Sequence, residues 1–163
     1  MKNIPMFLLL IIVGMYISIT VSAATTGTVA ATVTAQNVSV GVSDGIITYG
    51  TLGLSSATTT LASGLNDTQT ATNDGNIAED FNIKGTSTAA WTLAGSVGNN
   101  QYMHEFSINS GGGWTALTTN YQSLATNKAQ SGTQTFDLRL STPTATANFT
   151  QQNVDVTVQA VAH

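Results

Sequence analysis

Sixteen consecutive residues, Thr28 to Ser43 (TVAATVTAQNVSVGVS), are β-forming throughout and change phase partway. Val29, Ala31, Val33 and Ala35 fall on odd positions, whereas Val38, Val40 and Val42 fall on even ones. Side chains alternate between the two faces of a strand, so one flat strand cannot present both sets to the same side. The stretch is also about three times an ordinary strand of roughly 5 to 6 residues. The break falls at Gln36-Asn37. Two arrangements satisfy it: a β-bulge inside one domain, or an N-terminal arm over residues 24–36 that pairs away from its own domain. In the second arrangement residues 37–163 form the domain and Val38 to Val42 its first strand.

What precedes this stretch has the anatomy of an export signal. Lys2 is followed by the apolar run Met6 to Val21 and then by small residues at Val21-Ser22-Ala23-Ala24. This predicts a signal peptide over residues 1–23, cut after Ala23 or Ala24. The run is roughly 16 residues, short of the roughly 20 that span a bilayer, though a retained anchor is the other reading. No second run of spanning length follows, so after cleavage the chain is expected outside the cell or on its surface, with no membrane attachment of its own. Cysteine is absent, which excludes disulfides and leaves packing and sheet hydrogen bonds to hold the fold.

Charge excludes further classes. Only 7% of residues are charged, against about 25% in an average protein. Losing Lys2 with the leader leaves 3 basic residues against 8 acidic ones. That balance, without any basic cluster, argues against nucleic acid and anionic membrane as partners. Surface polarity comes instead from Thr, Ser, Asn and Gln, which do not repel a second copy. A surface so poor in charge lacks the usual guard against edge-to-edge strand pairing.

Period-2 alternation recurs along the chain. Strands are expected at Ile46–Tyr49 with Thr51–Leu54 continuing it, Ala57–Leu61, Thr68–Thr72 as an edge, Phe81–Ile83, and Ala89–Leu93. The short Gly85 to Ser87 connection reads as a hairpin between the last two. Further strands are expected at Tyr102–Ile108, Trp114–Leu117, Thr133–Ser141 and from Val154 to the end, with a fragment in Tyr121–Ala129. Asn73-Asp74-Gly75-Asn76 is a turn, because these residues accept left-handed backbone. Short strands at regular spacing, with no credible helix, predict an all-β chain folded as a single antiparallel β-sandwich. Pattern alone does not separate jelly-roll from immunoglobulin-like order.

Catalytic chemistry is not legible, and no enzyme is expected. No HExxH, GxSxG or CxxC motif is present. His104 and Glu105 are adjacent in one strand, so alternation sends them to opposite faces and they cannot jointly activate a nucleophile. Asp67, Asp74, Glu79 and Asp80 are acidic residues in and after a loop that could offer oxygens to a structural calcium, although their spacing matches no EF-hand. Trp91 alternates with Leu93 and is expected in the core. Trp114 follows Gly111-Gly112-Gly113 and, with Tyr102 and Tyr121, is a candidate for stacking on a sugar ring of a cell-surface glycan. Asn37-Val38-Ser39, Asn66-Asp67-Thr68 and Asn148-Phe149-Thr150 are glycosylation sequons.

Two segments carry a family resemblance. Ser43-Asp44-Gly45 through Thr51-Leu52-Gly53-Leu54, and Thr68 to Lys84 (TQTATNDGNIAEDFNIK), resemble the secreted TasA and camelysin-like proteins and their archaeal relatives. The likeness covers roughly a third of the chain after the leader. It implies a jelly-roll subunit that polymerises by inserting its N-terminal strand into the next subunit. The peptidase label attached to some of that family does not transfer, because this chain lacks a metal-binding histidine pair. Trp91-Thr92-Leu93 also matches the Trp-x-Leu motif of cell-wall-binding domains, whose second copy near the C-terminus is missing here.

The expectation is therefore a secreted structural protein, a subunit of an extracellular filament or surface coat that assembles with itself by β-strand addition. Val29, Ala31, Val33 and Ala35 are the expected exchange residues. A secreted adhesin or carbohydrate-binding sandwich is the alternative.

Overall fold

A computed structural model describes residues 25–163; the expected signal peptide lies outside the described residues. The chain divides into two units, one ending at Thr34 and a second spanning Ala35–His163. Residues 26–34 form no strand, and Val29 and Val33 are 90% and 96% exposed. Neither a bulge nor a sharp turn marks Gln36-Asn37, since residues 26–39 carry no turn, bend or strand pairing.

The second unit is all-β, with ten strands in two sheets and no helix among the described residues. The strands are β1 Val40–Val42, β2 Ala57–Thr59, β3 Gln69–Asn73, β4 Glu79–Gly85, β5 Thr92–Leu93, β6 Gln101–Ser107, β7 Thr115–Ala116, β8 Gln122–Lys128, β9 Thr133–Ser141 and β10 Val156–Ala162. The larger sheet runs β1-β3-β9-β6-β5, with β2 also on β9 and β7 also on β6; the smaller runs β10-β4-β8. The core draws on both, with Phe81, Ile83 and Leu124 from the smaller sheet and Phe106, Phe136, Leu138 and Leu140 from the larger. Alternation explains this division: along β4 every odd residue from Glu79 to Gly85 is buried and every even one is half-exposed.

Several expected pairings are corrected. The sheet is not antiparallel throughout, because β5 pairs in parallel with β6, Thr92 opposite Gln101. The Gly85–Ser87 connection is accordingly not a hairpin: it leads from one sheet into the other. β3 is internal, between β1 and β9, rather than an edge. The Tyr121–Ala129 fragment is a strand of seven residues that bulges against β4 at Phe81. No strand forms over 46–54. Gly45 and Gly50, at φ 69° and 73°, take left-handed backbone on either side of Ile46–Tyr49 and turn it out of the sheet.

Two poles follow from the registers. β3 ends and β4 begins at the first pole, where loop 74–78 joins them. β1 begins there, with Val40 opposite Asn73, and β10 ends there, with Ala162 opposite Glu79. β10 begins at the second pole, Val156 opposite Gly85.

Candidate functional site

A groove of about 1080 Å³ lies between the sheets. That volume is at the top of the roughly 300 to 1,000 Å³ typical of small-molecule pockets, and favours an elongated occupant. Its floor is the inward face of β9, Phe136, Leu138 and Leu140, together with His104 of β6. One wall is the segment 45–54, which leans Ile47, Tyr49 and Leu52 against the core. The other wall is Val154 to Val158, the start of β10 and the chain before it. Phe149 stands at the rim, 78% exposed.

Both walls present unpaired main chain. Among the described residues, β10 bonds to β4 along one edge and to no strand along the other. Among the described residues, no hydrogen bond reaches the main chain of Ile47 to Leu52. Main-chain N–H and C=O groups require partners, and a sheet edge is a template for one more strand. The groove therefore has an apolar floor, with polar side chains such as Gln69, Thr146, Gln152 and Thr157 also in its lining, and is flanked on both sides by backbone able to pair.

One polar pair joins wall to floor. The ring Nε2 of His104 lies 2.9 Å from the Tyr49 hydroxyl, and its Nδ1 has no hydrogen-bonding partner. Burial pushes the His104 pKa down to about 4, an effect the neighbouring Val154 backbone offsets only in part. Burial likewise holds the Tyr49 hydroxyl above its usual range, with the Asp67 carboxylate adding to it. The pair is accordingly neutral near pH 7. Glu105, on the opposite face, binds Arg139 through two bonds of 2.5 and 2.6 Å, as the alternation requires.

The residues singled out from sequence fall in separate places. Tyr102 is fully buried, its hydroxyl donating to the Thr86 carbonyl, so its ring offers no face for stacking. Trp114 is half-buried, and the Arg139 guanidinium covers one face of its ring at 4.9 Å. Tyr121 is 40% exposed but carries the Lys84 ammonium 4.6 Å from its ring centre. Trp91 packs on the core with its Nε1 donating to the Thr146 hydroxyl. Tyr102, Trp114 and Tyr121 thus form no common platform.

The four acidic candidates are also dispersed. Asp67 accepts from the Gln69 amide at 2.6 Å. Asp80 accepts from the Asn127 N–H and lies 2.8 Å from His163. That N–H first, and His163 second, hold the Asp80 carboxyl below its usual range. Asp74 is exposed over Gly41, while Glu79 is buried and accepts from the Ser39 N–H at 2.8 Å. Among the described residues, no three His, Cys, Asp or Glu side chains converge as a metal site.

The exchange candidates divide at the unit boundary. Val29, Ala31 and Val33 belong to the first unit and Ala35 opens the second, where its carbonyl accepts from the Asn76 side chain at 2.7 Å. Sequence reasoning missed the groove-lining Ile47, Leu52 and Val156 as a set, the Tyr49–His104 pair, and the role of Asn76. Half-burial of alternate valines in β10 was the one available signal. No family model, no curated protein and no solved structure matches the chain.

Proposed function

We propose that this protein is a secreted structural subunit that assembles with its own copies by β-strand addition, the arm before Ala35 of one copy filling the groove of the next. The observation that carries this reading is the groove with an apolar floor and unpaired backbone on both walls. The arm has the complementary features: four small apolar residues at alternate positions and no strand partner. From Thr28 to Ala35 it extends roughly 26 Å, enough to run the length of a seven-residue strand such as β10. Main-chain bonds would supply affinity, and Val29, Ala31 and Val33 would fill alternate sites along the floor, with Ala35 held by Asn76 of its own copy. Such a contact is head-to-tail and does not close on itself, so it propagates as a fibre. The charge-poor surface is compatible with copies stacked side by side.

The poles give the inserted strand a direction. The arm leaves the first pole, so a copy stacked in the same orientation receives it from its own second pole. The arm's C-terminal end then lies near Val156 and its tip points toward Ala162, antiparallel to β10. The chain has no cysteine of its own, so introduced pairs report this directly. Thr34→Cys combined with Thr157→Cys should give an intermolecular disulfide ladder, because opposed residues lie about 4.5 to 5.5 Å apart, within disulfide reach. Thr34→Cys with Val161→Cys should not. Bonding at Val161 instead, or at neither in chains that still form filaments, would refute the orientation.

The central test removes the arm. Deleting residues 24–35 should abolish filaments in negative-stain micrographs and leave a folded monomer with an unchanged thermal transition. Filaments persisting in the deletion would sink the reading.

A further inference from the structure

An arm and a groove in one chain permit two outcomes: exchange between copies, or insertion of the arm into its own domain. The second would end assembly in closed monomers. We propose that Asn76, in the loop joining β3 to β4, is the positioning residue that selects exchange; the proposal rests on the strand-addition reading above.

Asn76 grips the hinge by three bonds. Its Oδ1 accepts from the Asn37 N–H at 2.8 Å, its Nδ2 donates to the Ala35 carbonyl at 2.7 Å, and its own N–H donates to the Asn37 carbonyl at 3.1 Å. The pattern continues inward, where the Asp74 N–H donates to the Ser39 carbonyl at 2.8 Å and the Glu79 carboxylate accepts from the Ser39 N–H. Residues 35, 37 and 39 therefore all turn their main chain to the loop, the period-2 pattern of a strand edge. Side chains and loop thus extend the pairing of β1 backward to Ala35 where no strand partner exists. Gly75 makes the approach possible, because a Cβ there would sit 2.5 Å from the Asn37 carbonyl oxygen and closer still to the Glu79 carboxylate.

A hinge held in line with β1 cannot reverse between Ala35 and Ser39. Folding back into the same domain would then need its turn at Thr34 or earlier. Even a tight turn uses two residues, so Val33 would be spent in it, and Ala35 stays with the clamp. Self-insertion keeps two of the four apolar side chains in place, Val29 and Ala31, whereas insertion into a neighbour also keeps Val33. Releasing the clamp frees residues 35–37 to form the turn and makes self-insertion competitive.

The experiment compares the mature chain, its Asn76→Ala variant, and each of these with residues 24–35 deleted, reading filaments by negative stain and uptake of a synthetic peptide of residues 28–35 by fluorescence anisotropy. Both deleted proteins should bind the peptide alike, which also shows that the variant domain folds. Full-length Asn76→Ala should shift from polymer to monomer by about ten-fold or more, the effect of losing two side-chain hydrogen bonds, and its monomers should refuse the peptide because their own arm occupies the groove. Filaments at the parent yield, or variant monomers that still take up peptide, would overturn the role of Asn76. A parent chain that neither polymerises nor, once deleted, binds the peptide would overturn strand addition and the clamp with it.

Discussion

Phe81→Ala is expected to lower the unfolding free energy by about 4 kcal/mol, the typical cost of removing a buried phenylalanine ring. Phe81 is fully buried at the centre of β4, opposite Ala160 of β10 and Ala125 of β8. The loss is large because the cavity opens under the strand that both neighbours depend on, so collapse around it would have to move the whole smaller sheet. Phe149→Ala is the control. That ring is 78% exposed at the groove rim, and its removal should change stability by less than about 0.5 kcal/mol, as at surface sites generally. Guanidinium unfolding of the two variants beside the parent measures both, and equal midpoints would refute the placement of Phe81. Under the strand-addition proposal, Phe81→Ala should also weaken polymer formation, because β10 is a groove wall, whereas Phe149→Ala should leave the domain's fold untouched.

Acidification should destabilise the domain within a defined window. The buried His104 imidazole titrates near 4 instead of its usual 6.5. The unfolded chain therefore takes up its proton first as pH falls, and stability declines from about pH 6.5 to about pH 4 and is flat in this contribution below that. A shift of that size corresponds to about 3 kcal/mol over the window. His104→Gln should remove the decline while keeping a polar group near Tyr49. Urea midpoints at pH 7, 5.5 and 4 for both proteins check it, and parallel pH profiles would refute it. Asp80 does not confuse the result. Its carboxyl is held low by the Asn127 N–H and by His163, so its contribution is present above about pH 4 and lost only below.

The clearest strands were legible residue by residue. Thr133–Ser141 is observed with the bounds its alternation predicts. A connection after Asn73 was also plain, but Asn73 itself ends β3, the chain bends over 75–77, and none of Asn73 to Asn76 takes the expected left-handed backbone. Ile46–Tyr49 read equally well as a strand and is none. Alternation records which faces a segment can bury, whereas a strand exists only where a neighbour supplies hydrogen bonds, and no described residue supplies them there. β5 was legible as a strand but not as a parallel one, because two residues beside β6 are placed by the packing of Leu93 and Trp91 rather than by any local turn.

The candidate site was less legible than the fold. The arm's four apolar positions can be read from spacing, but the Arg139 guanidinium 4.9 Å from the Trp114 ring centre, 25 positions away in sequence, could not. Tyr102 is fully buried on the same face as His104 and Phe106, opposite Leu93 of β5. Asn76 looked like turn vocabulary and holds the hinge.

What the sequence determined by itself is the all-β character, the places of most strands, and the existence of an apolar set before Ala35 that is out of phase with the first strand. These depend only on neighbours along the chain, through the fixed period of a strand. The tertiary structure decided which segments find partners. Among the described residues it left one edge of β10 and the main chain of 47–52 unpaired around one groove, buried His104 beside Tyr49, and brought Asn76 against Ala35 and Asn37. Each of these joins residues far apart in sequence, and no local pattern encodes which distant main chain a free edge will meet.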